Sequence, residues 1–294
     1  MTSLPVARRA TMLLVPPQSA EQHLLAPTPG TAQATLLNIL GDIVHPSSTA
    51  VPTSAFLAVM TGLGYSEPAV RQAVARCAAS GWIVKQKSGR STSWSLTAAG
   101  VGVVEDGIAG VERLADPYTG WDGTWRITVV TIPAEQRSSR DRVYRALRWD
   151  GFGNPMASVW VSPHPHRHRR TQAVLAELGL GESAVSFVGC PDELGLTATQ
   201  IVERSWDLDE LGHHYDTVVE RFSSWTPATD AEYLVALLDL DRELQNLLVT
   251  DPHLPRALTP SWSGRESAAT LLRLRQLWHP RAESHWHDTL AYHI

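Results

Sequence analysis

The run Ser66-Glu67-Pro68-Ala69-Val70-Arg71-Gln72-Ala73-Val74-Ala75-Arg76-Cys77 decides the fold. Val70, Val74 and Cys77 recur at the spacing of one helical face, which turns Arg71, Gln72, Ala75 and Arg76 to the other. Ser66 is placed to cap that helix. Glu67 and Pro68 fall in its first turn, where a negative charge is favourable and a missing backbone donor is harmless. Gly81 ends it. Trp82 to Lys87 then reads as a strand, Ser88-Gly89-Arg90-Ser91 as a tight turn, and Thr92 to Leu96 as an alternating return strand.

Upstream, Ala34, Leu37, Ile39, Leu40 and Val44 form an apolar helical stripe that stops before Pro46. A second helix is expected from Thr53 to Thr61, followed by the turn Gly62-Leu63-Gly64-Tyr65. Three helices and a hairpin with a basic tip predict a winged helix-turn-helix over residues 31–105. The second helix of such a motif reads the major groove, so Ser66, Arg71, Gln72 and Arg76 are candidate contacts to double-stranded DNA. Lys85, Lys87 and Arg90 on the wing are candidate phosphate contacts, whereas Trp82 and Trp94 are expected in its core.

The charge distribution agrees. The 294 residues carry a net −5, but residues 31–100 hold five Lys/Arg against two Asp/Glu, and residues 201–294 hold eight against fifteen. A basic module joined to an acidic one suits local phosphate contact. Lys85 and Lys87, the chain's two lysines, both lie in the basic module.

Downstream of Thr97 a connecting helix is expected to run to about Leu114, within a connecting segment at 106–120. A second module opens at Trp121. Trp125–Ile132 reads as a strand, Ser138–Trp149 as a helix, Met156–Val161 as extended, Thr171–Leu178 as a helix and Ala184–Val188 as a closing strand. That order predicts a ferredoxin-like α/β sandwich over 121–200. Helices at Leu208–Ser223, Asp230–Leu248 and Gly264 to about Trp278 predict a helical C-terminal domain over 201–294. Residues 1–30, rich in Pro, Thr, Ala and Gln without period, read as a flexible arm. The expected class is therefore multidomain α+β.

Other classes are disfavoured. Apolar runs fall short of a membrane span, and Ala10–Val15 is too short for a secretory core before Pro16-Pro17. Two cysteines, Cys77 and Cys190, with the first on an apolar helix face, fit a reducing cytoplasm. No Gly-x-Ser-x-Gly elbow, phosphate loop, dinucleotide fingerprint or His-Glu-x-x-His helix occurs, so no catalytic residue, metal site or cofactor is expected. The competing reading is a metal-dependent nuclease or hydrolase that uses the winged domain to hold nucleic acid.

The chain resembles the PaaX family of phenylacetic acid degradation repressors. The resemblance rests on Leu36-Leu37-Asn38-Ile39-Leu40-Gly41-Asp42, Ser66 to Arg76, Gly81-Trp82, Trp121-Asp122-Gly123-Thr124-Trp125-Arg126, Gly151-Phe152-Gly153, Val159-Trp160-Val161-Ser162-Pro163 and Asp251-Pro252-His253-Leu254-Pro255. It implies a homodimeric repressor released from its operator by an acyl-CoA effector, typically phenylacetyl-CoA. Two features depart from the family pattern. Thr131 stands where relatives often carry an acid, as do small CRISPR-associated endonucleases with a similar module. The run His164-Pro165-His166-Arg167-His168-Arg169-Arg170 is unusually basic. For an effector bearing phosphates, Arg148, Arg167, Arg169 and Arg170 are candidate contacts. Trp206, Trp225 and Trp262, with Trp278, are candidate apolar walls. Asp141 and Asp150 are expected to pair with the arginines of the 138–149 helix.

Overall fold

The computed structural model describes residues 27–47, 49–88, 91–115, 120–192 and 194–293. The expected arm lies outside them up to residue 26, as do Arg90 and the Lys87 side chain.

The first module begins with α1 (Ala32–Asn38), capped by Thr31, whose Oγ1 accepts from the Ala34 N–H at 3.2 Å. Its end widens into a π-helical turn, Ile39–Val44, before Pro46. Then come β1 (Val51–Pro52), α2 (Thr53–Gly62), α3 (Glu67–Ala79), β2 (Ile83–Ser88) and β3 (Ser91–Leu96). Lys85 pairs with Trp94 and Ser88 with Ser91, which sets a two-residue connection at the hairpin tip. The short β1 adds a third strand beside β3, an element the sequence pattern did not announce. The module packs onto α4 (Ala98–Glu112) through a glycine. A Cβ on Gly100 would lie 2.0 Å from the Trp82 carbonyl oxygen, so the helix start approaches the strand only without a side chain.

The middle module runs β4 (Trp125–Val130), α5 (Arg137–Trp149), β5 (Gly153–Met156), β6 (Val159–Ser162), α6 (Arg169–Glu177) and β7 (Ala184–Gly189). Its strands lie in the order β5-β6-β4-β7, all antiparallel. Val143 and Leu147 of α5 pack on Trp160, Val130 and Phe152 to form a core of their own. β7 is an edge strand, and it exposes Val185, Phe187 and Val188.

The last module consists of α7 (Ala198–Ser205), α8 (Leu208–Ser223), α9 (Asp230–Thr250) and α10 (Gly264–His293). A reciprocal capping box between Thr197 and Gln200 starts α7, a helix missed at the sequence level. Pro280 lies inside α10, where sequence reading stopped the helix, yet the helix continues for thirteen residues. The stretch beyond Pro280 is held by burial: Ala282, Trp286 and Leu290 enter the core of the first module, with Leu234, Leu237 and Leu238 of α9. That core therefore extends beyond residues 31–105.

Candidate nucleic-acid interface and ligand cavity

On α3 the burial follows the helical period. Val70, Ala73, Val74 and Cys77 face inward, and Arg71, Gln72 and Arg76 face solvent. Ser66 caps the helix, its Oγ accepting from the Ala69 N–H at 3.4 Å. Arg71 reaches back to Glu67 at 3.5 Å, an exposed contact of little energetic weight. Burial lifts the Cys77 thiol to about 12, so it packs as a neutral apolar side chain. Lys85 is exposed on β2. Trp82 is buried, and Trp94 donates its indole N–H to Thr53 Oγ1 at 3.0 Å, tying β3 to the start of α2.

Where the three modules meet, they enclose a cavity of about 740 Å³. One wall is apolar, built from Leu37 of α1 with Val103, Val104 and Ile108 of α4. The lining also carries Arg113, Arg148, Arg167 and Arg169, with Trp206. Arg167 keeps exposed surface, yet burial and then repulsion from Arg113 lower its pKa. Arg148 lies over the Trp160 ring at 5.6 Å. None of Arg113, Arg148 and Arg167 has an acidic salt-bridge partner among the described residues. Asp150, Asp207, Glu210 and Asp251 line the same cavity, and Asp251 and Asp150 attract the Arg167 charge.

Gly153 sits at this junction, where a Cβ would lie 2.4 Å from Ser205 Cβ and 2.6 Å from the Trp206 ring. The Gly151-Phe152-Gly153 motif thus lets β5 close on the last module. His164 docks the same two modules. Its Nε2 meets the His253 carbonyl at 2.9 Å, and burial, reinforced by Arg167, drives its pKa down to about 3. Asp251 fixes the receiving loop, accepting from Tyr215 at 2.8 Å and from the His253 N–H at 2.6 Å. The basic, His-rich run is therefore a docking segment at His164 and cavity wall from His166 to Arg169. Among the described residues there is no group of three His, Cys, Asp or Glu arranged to hold a metal ion.

Another wall holds a buried charge cluster. Arg275 of α10 pairs with Asp42 of the π turn at 2.5 Å and with Asp241 of α9 at 2.8 Å. Burial, then the nearby Asp42 carboxyl, raises the Asp241 pKa well above the usual range. Burial opposes the Arg275 charge, but the two carboxylates outweigh it. Gln245 donates to Asn38 beside this cluster, so polar bonds join the first and last modules.

Of the aromatic and arginine candidates, Arg148, Arg167, Arg169 and Trp206 line the cavity and the rest do not. Arg170 stacks on Trp149 at 4.3 Å. Trp225 packs against Phe222 and Trp278. Trp262 packs on Tyr215 and donates to the Leu208 carbonyl at 3.1 Å. Arg113 went unnoticed because it ends the expected connecting helix with no motif to mark it.

These features define a three-part α+β protein, with an outward-facing helix beside a β-hairpin and a ligand-sized cavity at the module junction. The family described as PaaX-like protein matches residues 31–100, its central Cas2-like domain residues 118–201, and its C-terminal domain residues 206–288. The chain belongs to the PaaX family. It is 25% identical over 273 residues to the Transcriptional repressor PaaX of Escherichia coli strain K12, covering 89% of this chain and 84% of that protein. Its fold is also similar to that of the uncharacterized protein Rv0674 from Mycobacterium tuberculosis. The TM-score there is 0.57 at 18% identity, over 88% of this chain and 98% of that one. No helix among the described residues is long and apolar enough to cross a membrane.

Proposed function

We propose that this chain is a DNA-binding transcriptional repressor that reads its operator with α3 and is released by an anionic, acyl-CoA-type effector. In this reading the first module is a winged helix-turn-helix, the middle one a ferredoxin-like sandwich, and the working unit a homodimer. The observation that carries it is the outward set of Arg71, Gln72 and Arg76 on a helix capped at Ser66 and followed by a β-hairpin. Kinship with a protein named a transcriptional repressor supports it. Lys85, Lys87 and Arg90 then hold phosphates.

The cavity supports the effector half. Its volume of about 740 Å³ and its lining arginines suit a ligand with a phosphate-bearing end and an apolar end. Because all three modules line it, a ligand there can favour one arrangement of modules over another. About 1–3 kcal/mol of such preference makes a working switch. The uncharged, exposed edge strand β7 supports pairing with a second copy.

One titration tests these parts together. Wild type and Arg76→Ala are titrated onto cognate and scrambled duplexes, with and without acyl-CoA thioesters. Arg76→Ala should cost about 1–3 kcal/mol on the cognate sequence and less on the scrambled one. Thioester should weaken wild-type binding, and two chains should bind each operator. Equal losses on both duplexes would remove Arg76 from base reading, and indifference to every thioester would remove the effector.

A further inference from the structure

Helix α5 carries Arg137, Arg140, Arg142, Arg145 and Arg148, and the sequence suggests that Asp141 and Asp150 neutralise them. The side chains are arranged otherwise. Asp150 turns inward, where its Oδ2 accepts from the Thr171 N–H at 2.8 Å and the Thr171 hydroxyl at 2.7 Å. Among the described residues Arg142 alone on this helix has an acidic partner, Glu177 at 2.7 Å. Arg148 turns to Trp160 and the cavity. Among the described residues Arg137, Arg140 and Arg145 form no ion pair. Arg137 and Arg145 are exposed on the side away from Val143, Ala146 and Leu147, with the exposed Asp141 between them, and Arg140 is half-buried at the edge of that face.

A rise of about 1.5 Å per residue strings these three cations over roughly 12 Å of a rigid helix. Their angular positions fall within one arc of roughly 140°, at about 100° per residue. A small anion needs a concave site, and this face is convex. A linear polyanion fits it better, because arginines in a row can each take a successive phosphate. The whole chain is net negative, so this patch stands against its background.

We propose that the exposed arginine face of α5 is a second, sequence-independent contact to duplex DNA, gripping the phosphate backbone beside the site read by α3. This inference rests on the DNA-binding reading above. The first module needs such help, since residues 31–100 carry a net charge of only +3. Recognition by α3 selects the sequence, and the α5 face adds affinity on any sequence.

The test uses the full chain and a random-sequence duplex of about four helical turns, titrated by fluorescence anisotropy across a range of salt. Each phosphate contact contributes about 0.9 to the slope of log K against log salt. The triple variant Arg137→Gln/Arg140→Gln/Arg145→Gln should therefore lower the slope by about 2–3, with an unchanged melting temperature. The matching Arg→Lys triple should retain most of the slope, because charge is what the backbone reads. If the glutamine triple fails to fold, Arg137→Gln and Arg145→Gln singly should each lower the slope by about one. An unchanged slope in the glutamine variants, with Arg76→Ala still weakening cognate binding, overturns the α5 contact and leaves the operator reading intact. Wild type that binds no duplex sinks both. Loss of binding to polyglutamate with duplex binding intact would assign the face to an acidic protein and overturn the proposal.

Discussion

The first and middle modules solve the same problem in opposite ways. The core on the helix-covered face of the middle sheet draws only on that module, between Val130 and Ala184. The other face packs Trp125 and Val161 against Val202 and Leu254 of the last module. The core of the first module is finished by distant chain: Leu234, Leu237 and Leu238 from α9, and Ala282, Trp286 and Leu290 from α10. Phe56 and Trp286 stand 6.3 Å apart although 230 positions separate them. A small helical module buries too little apolar surface to be firmly stable alone, and borrowed helices supply the rest. The borrowing also ties α3 to the elements that wall the cavity, so strain on α9 or α10 reaches the first module through packed side chains. The helix-covered core of the middle module, which has no distant member, offers no such path.

Three measurements would break or sharpen this contrast. The largest effect is expected from Trp286→Ala, since Trp286 is 1% exposed and removing a buried aromatic costs about 3–5 kcal/mol. Hydrogen exchange should quicken in α1, α2 and α3, far away in sequence. Exchange that quickens only around the end of α10 would mean the first module does not depend on it. Leu147→Ala, in the middle core, should cost about 2–5 kcal/mol and leave exchange in α1–α3 unchanged. Faster exchange in those helices would erase the distinction between the two cores.

A smaller effect is expected with pH, at the joint between the middle and last modules. His164 binds a proton near pH 6.5 when unfolded but near 3 in place. A depressed native pKa means the unfolded chain takes up protons first as pH falls. The His164 contribution is thus full above about 6.5 and is lost progressively down to about 3. Denaturant titrations should show His164→Gln with a flatter acid limb than wild type, and parallel limbs would refute the assignment.

Legibility in the sequence tracked distance along the chain. Helix α3 and its cap could be read because period and cap sit within one dozen residues. So could the order of strands and helices in the middle module, down to Leu208–Ser223 beyond it. Strand β1, two residues long, carries no period at all. The cluster of Asp42, Asp241 and Arg275 was invisible because its members lie in three elements far apart in the chain. The helix beyond Pro280 was missed for a similar reason, since tertiary burial there outweighs the cost of a missing donor. The arginines of α5 were legible as residues but not in their pairing, because nothing local tells that Asp150 turns inward to Thr171.

The passage of α10 through the first core also has a consequence for synthesis. Domains generally fold as the ribosome delivers them, from the N-terminus onward. Here the module encoded first lacks part of its interior until residues 282–290 have been made. At about 5–20 residues per second, the wait after residue 105 is on the order of 10–40 s. The middle module can fold during that interval, while Phe56 and its neighbours wait for Trp286. Ribosome-arrested chains of increasing length would date the step, and the order they should reveal is inverted: the first module translated is the last one closed.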